Sequence, residues 1–113
     1  PILVFGFLDD SHVEEAVQRD ITCSALSYEY AMHLAHLCEQ KKLRLSMHIK
    51  LDTGFHRLGI DCDENRLQEA YEEVRQLYET EALHITGIYT HFSTAGSKVA
   101  QDEAFLKRQY QLF

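Results

Sequence analysis

In the stretch LSMHIKLD, residues 45–52, apolar and polar side chains alternate without a break. The apolar positions are Leu45, Met47, Ile49 and Leu51, and the polar positions are Ser46, His48, Lys50 and Asp52. A period of two predicts a β-strand with one apolar and one polar face. Central strands of an open parallel sheet tend to be apolar throughout, because helices cover both faces. The pattern therefore favours a barrel strand with helices outside; an amphipathic edge strand of an open sheet is the alternative.

Strand and helix patterns alternate on both sides of this stretch. We predict strands over residues 2–5, 21–26, 43–52 and 84–92. The helices that follow them are expected to begin at a capping box formed by Ser11 and Glu14, at Ser27, at Asp63 and near Gln101. The second helix has the apolar face Ala31, Leu34, Ala35 and Cys38. The third has the apolar face Leu67, Ala70, Tyr71, Val74, Leu77 and Tyr78.

Four strand–helix units with short connections predict an α/β fold of parallel strands joined by right-handed crossovers. No G-x-G-x-x-G motif follows the first strand, so a doubly wound dinucleotide-binding sheet loses its best support. A complete (β/α)8 TIM-type barrel needs roughly 200 residues or more. With 113 residues, the chain is expected to be a partial barrel of about four consecutive βα units.

Composition excludes several classes of function. Eighteen acidic against eleven basic residues give a net charge of −7, which is unsuited to binding nucleic acid. No apolar run approaches the roughly 20 residues of a membrane span. The cysteines Cys23, Cys38 and Cys62 are odd in number and widely spaced, which favours a reduced, cytoplasmic chain. His33 and His36 lack acidic or cysteine neighbours at ligand spacing, so no metal site is predicted.

Four residues are expected at the carboxyl ends of the strands, where α/β barrels place their functional groups. They are Phe5, Lys50, Arg57 and His91. A buried lysine must be paired, neutralised or modified; the options are an ion pair with Asp52, a Schiff base or a carbamate. A guanidinium on a glycine-flanked loop suits a carboxylate or phosphate, although a solvated surface arginine is commoner.

His91 has three interpretations. It is either a base, a ring lying flat against an aromatic ligand, or a hydrogen-bonded histidine of the core. The segment Ser93–Ser97 that follows it weakly suggests a loop that binds phosphate.

Several motifs resemble those of the alanine racemases. Residues 48–59, HIKLDTGFHRLG, closely resemble the family signature H-x-K-x-D-T-G-M-x-R-L-G, and residues 87–95, GIYTHFSTA, resemble G-x-x-T-H-F-[AS]-x-A. The opening residues 1–6, PILVFG, and residues 20–22, DIT, match P-I-L-V-L-G and D-I-T in the same order. The D-T-G motif is specific, and the other three support it.

The resemblance implies a fold, a cofactor and a set of roles. Residues 1–113 would be a fragment of the N-terminal barrel, strands three to six, that binds pyridoxal 5′-phosphate; the C-terminal β domain would be absent. His91 would stack on the cofactor ring and Phe5 would line its pocket. Arg57 would hold the substrate carboxylate, and Lys50, carbamylated in some members, would orient Arg57.

The resemblance also implies what lies outside the chain. The Schiff-base lysine would precede Pro1, and the tyrosine base would come from the partner subunit of a homodimer, so the fragment alone is expected to be inactive. Two positions depart from the family pattern: Phe55 replaces the usual methionine, and Gly96 stands where many members have aspartate.

The expected activity of the parent protein is the interconversion of L-alanine and D-alanine for peptidoglycan precursors of the cell wall. The alternatives are a serine racemase of the same family, a decarboxylase or D-threonine aldolase built on the same barrel, and a non-catalytic half-barrel. The sequence preceding Pro1 would distinguish the racemase from the last of these.

Overall fold

The computed structural model describes all residues from Pro1 to Phe113 and shows strands and helices in alternation. The strands are β1 (Ile2–Val4), β2 (Ile21–Ala25), β3 (Leu45–Asp52), β4 (Ile60–Asp61) and β5 (Leu83–Thr90). The helices are α1 (Val13–Gln18), preceded by the 3-10 turn Asp10–His12, α2 (Tyr28–Lys41), α3 (Leu67–Glu79) and α4 (Ala100–Leu112). The predicted α/β fold is confirmed, and the two-residue strand β4 is an addition that the sequence pattern did not indicate.

All strand pairs are parallel, and β3 lies at the centre of the sheet. On one side β3 pairs with β2, which pairs with β1; on the other side it pairs with β5. Strand β4 pairs with the last two residues of β3, and the Gly59 amide donates to the Leu26 carbonyl at 2.7 Å. Because parallel strands end at one edge, the segments following β1, β3 and β5 are close together.

The two faces of β3 differ as its alternation predicts. Leu45, Met47 and Ile49 are fully buried on the face that α1, α2 and α3 cover. On the opposite face, Ser46 and His48 are only partly buried. Burial of the apolar face is the main favourable term in folding the sheet. Further along the same face Lys50 and Asp52 are each only 6% exposed, so the polar face is partly open only towards the start of the strand.

The helix starts were predicted with mixed success. Ser27 is the N-cap of α2 as predicted, and its hydroxyl accepts from the Tyr30 amide at 3.1 Å. The capping box at Ser11 is wrong, because the Ser11 hydroxyl and amide both donate to Asp9, which caps the preceding 3-10 turn.

The start predicted for α3 is also wrong. Asp63 accepts from the amides of Asn65 and Arg66 in a turn, and the helix begins only at Leu67. Because Asp63 is engaged in this turn, the first helical residue lies three positions further along the chain than predicted.

The apolar face of α2 is confirmed, whereas that of α3 is only partly buried. All four predicted positions of α2 are buried. In α3, Ala70 and Leu77 are buried, but Tyr71 and Tyr78 are each 63% exposed. Positions seven apart form one line along a helix. The line through Ala70 and Leu77 is therefore buried against the fold, and the neighbouring line of tyrosines is mostly exposed. No helix is long and apolar enough to cross a membrane.

Candidate functional site

A cavity of about 320 Å³ opens at the edge of the sheet where the parallel strands end. Its lining residues are Phe5, Lys50, Arg57, Leu58, Tyr89, Thr90 and His91. The structure therefore brings together all four residues predicted from the sequence. Of the other lining residues, Tyr89 could have been predicted, because Gly87, Tyr89 and His91 are alternate positions that share one face. No pattern in the sequence pointed to Leu58 or Thr90.

A larger groove, of about 560 Å³, lies between α4 and the segment that follows β5. It is lined by Phe92, Ala95, Gly96, Leu106, Lys107, Tyr110 and Gln111. Lys107 is its only charged side chain, so the groove lacks the converging polar groups that mark a reactive site. The smaller cavity is the candidate functional site.

Lys50 lies on the inner face of β3, opposite Tyr89 in the register, and is only 6% exposed. Its ammonium donates to the Leu58 carbonyl at 2.6 Å. Burial lowers the pKa of Lys50, partly offset by the Asp52 charge, and the positive charge of Arg57 lowers it further. The ion pair with Asp52, one of the three options for Lys50, is not formed, since the ion pairs of the chain do not include it.

Asp52 instead organises the loop that follows β3, which we call the arginine loop (residues 53–59). Its carboxylate accepts from four successive backbone amides, at 2.8–3.0 Å; they belong to Gly54, Phe55, His56 and Arg57. Burial raises the pKa of Asp52, but these hydrogen bonds lower it more, so that the pKa lies below its ordinary value. Bonds from N–H groups to a carboxylate are stronger than neutral ones. The ionised carboxylate thereby sets the path of the loop.

The far end of the arginine loop returns against β3 at Gly59. This residue has φ +124°, and a Cβ atom built there would lie 2.8 Å from both the Asp52 amide nitrogen and the Lys50 carbonyl oxygen. Such a distance is far inside van der Waals contact, and an L side chain rarely adopts this backbone conformation. Only glycine lets the loop approach the strand so closely.

Arg57 and His91 meet across one aromatic ring. The Arg57 guanidinium carbon lies 4.5 Å from the centroid of the Phe55 ring. The His91 ring packs edge-to-face against the same ring, with centroids 5.1 Å apart. His91 is exposed and makes no side-chain hydrogen bond, so the interpretation as a hydrogen-bonded core histidine is wrong. Both side chains face the cavity from its rim.

Tyr89 ties three strands together beneath the cavity. Its hydroxyl donates to the Ser24 hydroxyl at 2.9 Å, and Ser24 in turn donates to the Val4 carbonyl at 2.7 Å. The Tyr89 ring also packs edge-to-face on Phe5, at 5.4 Å between centroids. These contacts join β5, β2 and β1, so that Phe5 and Tyr89 form one wall of the site.

The segment after β5, which we call the histidine loop (residues 91–99), is held less firmly. The Ser93 amide and hydroxyl both donate to the buried Gln109 side chain, at 3.3 Å, and the Ser97 hydroxyl donates to Asp102. The serine donors suggested for a phosphate loop are therefore engaged within the chain. The amide nitrogen of Gln109 is buried without a partner.

No group of three or more histidine, cysteine or acidic side chains is close enough together to hold a metal ion. His33 pairs with Asp10 at 2.9 Å on the surface, and His36 lies 3.9 Å from Glu39. The three cysteines are buried and free.

A parallel α/β sheet with cationic and aromatic groups gathered at its carboxyl edge is typical of α/β enzyme domains. The sequence model of the family described as "Alanine racemase, N-terminal domain" matches residues 1–113. The chain belongs to that family.

Individual relatives agree with the family match. The chain is 32% identical to an alanine racemase of Methanococcus maripaludis and 30% identical to alanine racemase 2 of Caldanaerobacter subterraneus subsp. tengcongensis, in each case over its whole length. An alanine racemase structure from Clostridium difficile 630 superimposes with a TM-score of 0.80 at 26% identity over 99% of the chain. A histidine racemase from Leuconostoc mesenteroides superimposes with a TM-score of 0.75 at 27% identity over 98% of it.

The chain spans only part of these proteins. It covers 28% of the Methanococcus protein, 27% of the Caldanaerobacter protein and 28% of the Clostridium chain.

Proposed function

We propose that this chain is part of a pyridoxal 5′-phosphate-dependent amino-acid racemase that interconverts L-alanine and D-alanine. The family match supports this, since the relatives that the whole chain matches are named alanine racemases. The observation that supports it most is the convergence of Phe5, Lys50, Arg57 and His91 on one cavity. These are the residues that the resemblance assigns to cofactor and substrate.

The residues of the cavity fit the cofactor and a substrate carboxylate. The exposed His91 ring offers a flat surface on which a pyridine ring can stack, and Phe5, 64% exposed, offers an apolar wall. The Arg57 guanidinium makes no ion pair and no hydrogen bond in the chain, so its fork is free for a carboxylate. When bound, pyridoxal phosphate supplies the electron sink that acidifies the α-hydrogen of an amino acid.

In this proposal the chain's residues bind and orient, while the proton transfers belong to groups elsewhere in the protein. Arg57 anchors the carboxylate through two parallel N–H···O bonds. The two bonds fix both the position and the orientation of the carboxylate. His91 holds the ring from one side. The precise placement of both groups lowers the barrier by restricting the reactants to a reactive geometry.

Lys50 is proposed to orient Arg57 as a carbamate. The lowered pKa of Lys50 increases the share of neutral amine, which is the form that attacks carbon dioxide. The attack forms an N–C bond and releases a proton, and the product is an anion. The pair of neighbouring cations, Lys50 and Arg57, then becomes an anion beside a cation. The carbamate oxygens can accept hydrogen bonds from the Arg57 guanidinium.

The remaining parts of the proposal concern the whole protein. Residues 1–113 are proposed to form strands three to six of an N-terminal (β/α)8 barrel, with a β-rich C-terminal domain beyond them. The parent is proposed to be a cytoplasmic homodimer with a shared active site that supplies D-alanine for peptidoglycan. The 113 residues alone are proposed to be inactive.

Chiral chromatography tests the proposal on the full-length protein with pyridoxal phosphate. L-alanine, L-serine and L-histidine are incubated separately; histidine is included because one structural relative is named a histidine racemase. We expect D-alanine to form faster than D-serine or D-histidine. If cofactor-loaded protein forms none of the D-isomers, the proposed racemase activity is wrong. A faster reaction with serine or histidine would overturn the alanine assignment alone.

A further inference from the structure

We propose that Phe55 is a positioning residue that sets the place of the Arg57 guanidinium, and thereby the affinity of the site for the substrate carboxylate. This proposal rests on the proposed function and extends it to a residue that touches neither the carboxylate nor the reacting atoms. Phe55 is also a position at which the sequence departs from the usual methionine of the motif it resembles.

The first observation is that Phe55 contacts both functional side chains of the rim. The guanidinium carbon of Arg57 lies 4.5 Å from the ring centroid, within the range at which an aromatic face attracts a cation. The His91 ring meets the same side chain at 5.1 Å with an interplanar angle of 70°, the favoured edge-to-face arrangement. One ring therefore lies between two groups that come from different loops.

The second observation is that the Arg57 side chain has no other fixed partner. Its backbone amide donates to Asp52, but no acidic side chain lies within 4.0 Å of the guanidinium and none of its N–H groups donates within the chain. An exposed arginine without partners samples many rotamers, and the ordering of such a side chain on binding costs free energy. The ring of Phe55 restricts that sampling before the substrate arrives.

The third observation is that Phe55 is itself held in place. Its amide donates to the Asp52 carboxylate at 2.8 Å, between the equivalent bonds of Gly54 and His56. His56 has a left-handed backbone, φ +54°, so that the chain turns sharply between Phe55 and Arg57. The turn brings the guanidinium back over the ring two residues earlier.

Steady-state kinetics of the full-length protein tests the proposal with Phe55→Leu and Phe55→Tyr. We expect Phe55→Leu to raise the KM for the amino acid about two- to fivefold, the effect of losing one exposed cation–π contact, with a smaller change in kcat. Phe55→Tyr keeps the aromatic face and should keep the KM. Phe7→Leu is the matched control, because Phe7 is 71% exposed and packs on Tyr30, away from the cavity.

A double-mutant cycle separates positioning from a merely structural role. If Phe55 acts through the guanidinium, Phe55→Leu should have no further effect on KM in an Arg57→Ala background. An equal KM for the Leu, Tyr and wild-type forms would overturn the proposal, as would a full effect of Phe55→Leu in the Arg57→Ala background.

A readout independent of activity distinguishes failure of this proposal from failure of the proposed function. A proton above an aromatic face resonates upfield, so the Arg57 Nε–H signal of the ¹⁵N-arginine-labelled protein should move downfield in Phe55→Leu and stay in Phe55→Tyr. The signal is assigned by its loss in Arg57→Lys. If the wild type racemises nothing but this pattern is found, the positioning stands and the racemase does not; an Arg57 signal indifferent to Phe55 would overturn the positioning.

Discussion

The arginine loop and the histidine loop leave the same edge of the sheet, yet they are held in different ways. In the arginine loop, four successive amides donate to the buried Asp52 carboxylate, and Gly59 packs against the backbone of β3. In the histidine loop, the donors of Ser93 are shared by one uncharged acceptor, Gln109, at 3.3 Å. One loop is therefore built around a buried charge, whereas the other is held by an uncharged side chain of α4.

The candidate site residues Arg57 and His91 belong to different loops and are therefore held differently. Arg57 belongs to the firmly held loop, so its backbone is placed by the chain itself. His91 begins the loosely held loop, and its ring packs on Phe55 of the other loop. Under the proposed function, the fixed loop would hold the substrate carboxylate while the His91 ring adjusts to the cofactor.

Replacing one glycine in each loop should show the largest difference. Gly59→Ala places a Cβ atom 2.8 Å from backbone atoms at φ +124°, and we expect it to lower the free energy of unfolding by about 3 kcal/mol or more. Gly96→Ala has only an unfavourable φ of +86° and no atom within 4 Å, so about 1 kcal/mol is expected. Urea denaturation of the full-length protein measures both. Equal losses would contradict the difference between the loops.

Removal of the buried charge should have the next largest effect. Asp52→Asn weakens four charge-assisted hydrogen bonds, and we expect a loss of about 2–3 kcal/mol in the free energy of unfolding. Asp63→Asn is the control, because Asp63 accepts through its side chain from one amide only, at 3.3 Å.

The pH dependence of the free energy of unfolding is a second test of the Asp52 carboxylate. Because the pKa of Asp52 is lower in the folded chain than its ordinary value, its contribution is complete above a pH of about 4 and is lost as the pH falls through the folded pKa. The wild type should therefore lose more stability than Asp52→Asn between pH 5 and about pH 2. Parallel pH curves for the two proteins would mean that the carboxylate does not stabilise the loop.

The smallest effect is expected in the histidine loop. Gln109→Leu removes two long hydrogen bonds but also removes a buried amide nitrogen that has no partner. These changes oppose one another, so the free energy of unfolding should change by less than about 1 kcal/mol. A loss as large as that of Asp52→Asn, in the same denaturation experiment, would show that the histidine loop is held as firmly as the arginine loop.

Much of the fold could be predicted because it depends on periodic patterns. The alternation in residues 45–52 indicated a strand with one buried face, and the order of strands and helices indicated a parallel sheet. Since parallel strands end at a common edge, that order also brought Phe5, Lys50, Arg57 and His91 together. No contact between side chains was needed for either step.

The parts that could not be predicted depend on competition between partners. Asp52 had two candidate partners, the Lys50 ammonium and the amides of its own loop, and spacing alone does not decide between them. The Asp52 carboxylate accepts hydrogen bonds from the four loop amides. The Lys50 ammonium donates to the Leu58 carbonyl instead. Ser11 was mistaken for a helix cap for a similar reason, because Asp9 engages both of its donors.

The proposed role of Arg57 is to hold the substrate carboxylate. Steady-state racemisation of L-alanine by the full-length protein tests it most directly, with Arg57→Gln compared against His56→Gln, an exposed neighbour in the same loop that does not line the cavity. We expect Arg57→Gln to lower kcat/KM by about 100-fold, consistent with the loss of a bidentate charged pair, and His56→Gln to stay within about threefold of wild type. An Arg57→Gln enzyme as active as His56→Gln would show that Arg57 does not bind the substrate carboxylate.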